Sequence, residues 1–173
     1  HYIYEAGNYH YIDTWLGEFY GGDIAVGDIN RDMDIDIVQC GFDNNYERQT
    51  RLFENRTANL NEIPITPENL EVTATDSSYI FSWDHAIDDN TSWPGLTYNL
   101  RLGSSPGSSD LKPCNSDTSG YHYVPVWGNV GHNTSCEFKN PPQNGSIFWT
   151  VQSIDNSFYG SPFAPEQEII ITS

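Results

Sequence analysis

Positive charge is scarce in this chain: seven Lys and Arg stand against 24 Asp and Glu, a formal charge of -17. The seven are scattered at Arg31, Arg48, Arg51, Arg56, Arg101, Lys112 and Lys139 and never form a run. So negative a surface without a basic patch repels nucleic acid and anionic lipid. Long apolar runs are missing too. Stretches such as Ile169 to Ile171 are far too short to span a bilayer, so membrane insertion is not expected. A start at His1 instead of Met leads us to expect a mature or excised portion of a longer precursor whose targeting segment has been removed.

Cysteine is sparse, with three residues and no Cys-x-x-Cys pair, which excludes a zinc knuckle and a thioredoxin-like site. Cys114 and Cys136 lie 22 residues apart and are read as a disulfide in an oxidising compartment. Cys40 is then the odd one, expected buried and free, with a link to another chain as the alternative. Histidine occurs only at His1, His10, His85, His122 and His132, without a His-Glu-x-x-His pattern. No Gly-x-Ser-x-Gly elbow occurs, and Gly21-Gly22 leads into no helix that would hold phosphate. Asp84, Asp88 and Asp89 resemble a glycosidase carboxylate set only superficially, since they read as an exposed loop after a strand. The expectation is a protein that is not an enzyme.

What the chain does contain is oxygen ligands. Gly27 to Val38 places Asp28, Asn30, Asp32, Asp34 and Asp36 at every second position. These side chains repel one another in an apo chain, and a hard divalent cation takes about six to eight oxygens. Calcium is the expected cofactor. A strand also puts alternate residues on one face, so a solvated acidic strand face is the competing reading. The apolar Ile35, Ile37 and Val38 place a strand just after the loop.

A hydrophobic content of 37%, with 14% aromatics, suffices for real cores in one or two domains. Short alternating segments punctuated by glycine, with no helical periodicity, predict an all-β chain. In the first part, strands are expected at Ile24 to Val26, Ile35 to Gln39 and Arg51 to Glu54, in a small antiparallel unit over residues 1–56. Residues 57–67 read as a polar, Pro-containing linker. Residues 68–173 read as a β-sandwich, with strands at Asn69 to Thr75, Tyr79 to Asp84, Leu96 to Leu102, Ser135 to Phe138, Ile147 to Ile154 and Glu166 to Ile171. Trp83, Tyr98, Leu100, Trp149 and Val151 are the expected core.

Ala25-Val26-Gly27-Asp28, the ligand series, Ile37-Val38, Gly41 and Leu52-Phe53-Glu54-Asn55 together resemble an FG-GAP or VCBS repeat. The resemblance implies one calcium-binding blade of a β-propeller, with side-chain ligands from Asp28, Asn30, Asp32 and Asp36 and the backbone carbonyl of Asp34. Arg31 and Met33 occupy positions where that family usually has glycine. If the backbone there requires positive φ, each costs about 1 kcal/mol. From about Pro67, the phrases Phe81-Ser-Trp-Asp84, Leu96-Thr-Tyr-Asn-Leu-Arg-Leu-Gly103 and Phe148-Trp-Thr-Val-Gln-Ser-Ile-Asp-Asn-Ser-Phe158 resemble a fibronectin type III domain, which is an immunoglobulin-like sandwich.

A single blade leaves faces and edges without neighbours. It is expected to be covered by missing blades of a precursor, by its own sandwich, or by the next subunit of a head-to-tail filament. Tyr2, Ile3, Tyr4, Tyr9, Tyr11, Ile12 and Trp15 suit such an interface, or serve as ordinary strands of the blade. Asn55, Asn90, Asn133 and Asn144 head Asn-x-Ser/Thr sequons and are candidate glycosylation sites, although these residue types also abound in turns. Trp93 and Trp127, with Tyr121 and Tyr123, are either core or a platform that stacks sugar rings; core packing is the preferred expectation. The functional expectation is a secreted or cell-surface structural or adhesive protein, self-associating through a calcium-stabilised fibre. A glycan-binding or spacer module from a larger enzyme or adhesin is the alternative.

Overall fold

The computed structural model describes residues 2–5, 8–11, 19–56, 61–122 and 124–171. These form two compact units, residues 1–58 and 59–173. The fold is all-β with antiparallel pairing throughout the described strands. One short 3-10 turn, Trp93–Gly95, interrupts it.

The first unit opens with a hairpin of β1 (Tyr2–Glu5) and β2 (Asn8–Tyr11), pairing Tyr2 with Tyr11 and Tyr4 with Tyr9. Of the expected interface residues, five fall on this hairpin's backbone. Their side chains, and Ile12 and Trp15 altogether, lie outside the described residues. A meander follows, of β3 (Tyr20–Gly27), β4 (Asp36–Phe42) and β5 (Arg48–Phe53), with β4 central. Its register aligns Ala25, Val38 and Leu52 on one face and Val26, Ile37 and Phe53 on the other. The strand edge of β3 bulges between Tyr20 and Asp23. There Gly22 runs so close to β4 that a Cβ would lie 1.8 Å from the Cys40 carbonyl oxygen, a place only glycine can fill.

The second unit stacks two three-stranded sheets around one core. One contains β6 (Glu71–Ala74), β7 (Ser78–Ser82) and β9 (Ser135–Lys139), in that order; the other is ordered β11 (Gln167–Ile171), β10 (Gly145–Ile154), β8 (Thr97–Gly103). Alternation turns Tyr98, Leu100 and Leu102 of β8 and Ile147, Trp149 and Val151 of β10 inward, against Phe81 and Trp83. The expected core is thus present. Phe81 meets Trp149 edge-on with ring centroids 4.8 Å apart, and Trp83 lies 5.6 Å from Tyr98.

The outer face of β8 and β10 is buried as well, under the long β8–β9 connection. Asn99 donates to the Ser116 hydroxyl and to Gln152 Oε1, while Gln152 Nε2 donates to the carbonyls of Gly120 and Ser161. These bonds across the cover let a largely polar face be buried, although Arg101 Nε and His122 Nε2 are left without a partner among the described residues.

Two expectations are corrected here. Residues 61–67 are not a free linker: Ile65 N–H donates to the Ile87 carbonyl, Ser153 Oγ donates to the Ile65 carbonyl, and Thr66 Oγ1 donates to the Pro162 carbonyl. The polar character that reads as solvation is instead hydrogen-bonding capacity, spent on the end of the sandwich; residues 57–60 lie outside the described residues. Nor do Cys114 and Cys136 form a disulfide, since both thiols are free. Cys136 pairs with Phe81 in register and packs against the core, whereas Cys114 lies in the β8–β9 connection, its Sγ 3.7 Å from the Ser116 carbonyl. Cys40 is free as expected but exposed, because its side of the meander has no second layer among the described residues.

Candidate functional site

The acidic run does form a tight loop, residues 28–35, between β3 and β4. Asp28 organises it. Its Oδ1 accepts the N–H groups of Arg31 at 2.6 Å and Asp32 at 3.2 Å, and its Oδ2 accepts that of Met33 at 3.1 Å. Asp32 Oδ1 accepts from Asp34 N–H, and Asn30 Oδ1 from Asp32 N–H, so these two side chains bridge to the backbone two residues on. This winding demands left-handed backbone at Arg31, φ 66°, and Met33, φ 71°. Those are the two positions where the family resemblance expects glycine, and each non-glycine residue there stores about 1 kcal/mol of strain or more.

Asp36, only 1% exposed, closes the loop onto the sheet: its Oδ2 accepts Ile29 N–H at 3.0 Å and its Oδ1 accepts Asn55 N–H at 2.8 Å. Asn30 Nδ2 donates to Asp32 Oδ2 and to Glu54 Oε1. That bond, followed by those from Arg56, holds the Glu54 carboxyl below its usual range. Asp34 is 7% exposed.

The donor chemistry fits a hard cation, since every side chain in the series offers oxygen and carboxylate oxygens have lone pairs beyond those given to N–H groups. Among the described residues, however, no three His, Cys, Asp or Glu side chains gather into one metal-holding group. The carboxylates of Asp28, Asp32 and Asp36 are instead engaged by backbone N–H donors. Asp28, Asn30, Asp32 and Asp36, with the carbonyl of Asp34, are the residues that would hold calcium.

The other candidates are dispersed. Trp93 and Trp127 are not core, with exposures of 57% and 67%, and Tyr121 is exposed beside the same connection; Tyr123 lies outside the described residues. Each Trp is backed by a histidine instead, His85 at 4.2 Å from Trp93 and His132 at 5.5 Å from Trp127. Asn90, Asn133 and Asn144 are exposed and Asn55 half-buried. Asn90 Nδ2 donates to Asp89 and Asn133 Nδ2 to the Val130 carbonyl.

One carboxylate escapes the sequence reading. Asp155, at the end of β10, is 2% exposed; its Oδ2 accepts from Asn61 Nδ2 at 2.7 Å and its Oδ1 from Tyr159 N–H at 2.8 Å. Burial is the main cause that pushes its carboxyl up to about 6, with the Asp88 charge adding to it. Only tertiary structure brings Asn61, Asp88 and Asp155 together, and the sole signal in the sequence is a carboxylate directly following the apolar strand residue Ile154.

No known protein family matches the chain, and no curated protein matches it. No helix among the described residues is long and apolar enough to cross a membrane.

Proposed function

We propose that this chain is a non-catalytic, extracellular structural or adhesive protein, a subunit that associates with its own kind through the first unit and is braced by calcium in the loop at residues 28–36. The observation that carries this is a three-stranded sheet with large apolar side chains exposed on both faces: Ile24 at 59%, Val26 at 49% and Leu52 at 56%. Ile24 and Val26 point to one side and Leu52 to the other. At about 25 cal/mol per Å2, covering such side chains is strongly favourable, and monomers rarely leave them so open. A blade-like sheet completed by the next subunit would do it, and a head-to-tail contact of this kind extends into a filament.

The propeller-blade and fibronectin type III resemblances belong to the same proposal. In support of the latter, the second unit's first, second and fourth strands share one sheet and its third, fifth and sixth the other, the A-B-E against C-F-G arrangement of immunoglobulin-like sandwiches. Calcium would neutralise the loop's carboxylates and rigidify the β3–β4 turn.

Light scattering of the chain in calcium and in chelator tests this reading. Large particles that shrink with chelator, and that fail to form with Val26→Asp or Leu52→Asp, are expected. A monomer in both conditions refutes it.

The exposed Trp93 and Trp127 support a second reading, a glycan-binding module. Binding on a glycan array that disappears with Trp93→Ala or Trp127→Ala would establish that reading, and absence of binding leaves the structural one.

A further inference from the structure

At one end of the second unit Asn61 bonds to Asp155, the β7–β8 loop bonds to Asn156 through Thr91, and Asp88 of that loop is near enough for its charge to act on Asp155. The frame around them is rigid. Asp88 Oδ2 accepts the N–H groups of Asn90 and Thr91, at 3.2 and 2.6 Å, and Thr91 Oγ1 exchanges hydrogen bonds with Asn156 Oδ1 and Asn156 N–H. Two acceptors remain without a donor among the described residues: Asn61 Oδ1, on a side chain 2% exposed, and the buried Asp88 Oδ1. Turning the Asn61 amide over does not help, because its oxygen would then face the Asp155 carboxylate. Either orientation leaves a buried Asn61 oxygen without a donor beside the Asp155 carboxylate, which also feels the Asp88 charge, and neither carboxylate has an ion pair among the described residues.

We propose that Asp155, Asp88 and Asn61 form a second cation site, separate from the acidic loop, that takes calcium or a similar hard divalent ion through carboxylate and amide oxygens. A divalent charge offsets both carboxylates and gives the orphan oxygens a partner, which a neutral donor does for only one of the two needs. The raised acidity range of Asp155 agrees, since it marks a buried carboxylate short of positive charge. Bound there, the ion ties the chain's entry segment to two loops of the sandwich, bracing the point where the second unit begins.

Calorimetric titration of calcium into full-length chains tests this independently of the loop. With Asp32→Asn, chosen to weaken the loop, one site should remain; with Asp32→Asn and Asp155→Asn together, none. Loss of binding through Asp155→Asn alone, with Asp32→Asn silent, would uphold this site and refute the loop. No calcium binding that depends on Asp155 or Asp88 overturns the proposal and means that a buried water alone serves the oxygens. Asn61→Asp supplies a second readout. It adds a carboxylate, so its melting midpoint should fall below the wild type in chelator and recover in calcium; a deficit unchanged by calcium overturns the proposal.

Discussion

Removing the Asp28 carboxylate should loosen the loop at residues 28–35 even without metal. Asp28 accepts three backbone N–H groups, and hydrogen bonds to a charged acceptor contribute about 1.5–3 kcal/mol each. Two of them share Oδ1 and the residue is only half-buried, so the total falls below the simple sum of three such bonds, to about 3 kcal/mol for Asp28→Ala. Asp28→Asn keeps Oδ1 but loses acceptance from Met33 N–H, so it should cost about half as much. The assay is amide hydrogen exchange by mass spectrometry on peptides spanning residues 27–38, in chelator. At 1.4 kcal/mol per tenfold, protection at Arg31, Asp32 and Met33 should fall about 100-fold in Asp28→Ala. Asp23→Ala is the control, since among the described residues Asp23 accepts from its neighbour Ile24 and not from the loop. Unchanged exchange in Asp28→Ala, or an equal effect from Asp23→Ala, would refute the view that Asp28 winds this loop.

Trp149→Ala should destabilise the second unit by about 3–5 kcal/mol in denaturant titrations, while Trp93→Ala, at a side chain 57% exposed, should stay within about 0.5 kcal/mol. Burial pulls the His122 imidazole below its usual range, opposed by its contact with the Phe158 carbonyl. A base so depressed stabilises the fold fully above about pH 6.5 and loses that contribution as pH falls, so thermal melts should drop on acidification and His122→Gln should flatten the drop. Alkylation of the native protein should modify Cys40 before Cys114 and Cys136, and an intact mass with all three thiols free is expected. A mass two hydrogens lower would restore the disulfide.

Pattern alone determined the all-β class, because alternation and turn residues act locally: all nine strands predicted from the sequence appear, with ends displaced by a few residues. The acidic loop was legible for the same reason. Its acidic side chains, its turn bonds and its two left-handed residues all lie within one short segment, and even Arg31 and Met33 stood out as the places where glycine was missing. What the tertiary structure decided is what depends on distant partners. The segment at residues 61–67 looks like a linker until Ile87, Ser153 and Pro162 supply its hydrogen bonds. Cys114 and Cys136 have the spacing of a disulfide, yet one packs on the core and the other sits in the β8–β9 connection, both free. Trp93 and Trp127 have the composition of a core and the position of a surface. Asp155 is an ordinary carboxylate in the sequence, and becomes a buried one bonded to Asn61 and raised by the charge of Asp88, both far away in the chain, only in the folded unit. Local periodicity reports which face a residue takes; only the packing of one element on another sets how much water and which charges that face meets.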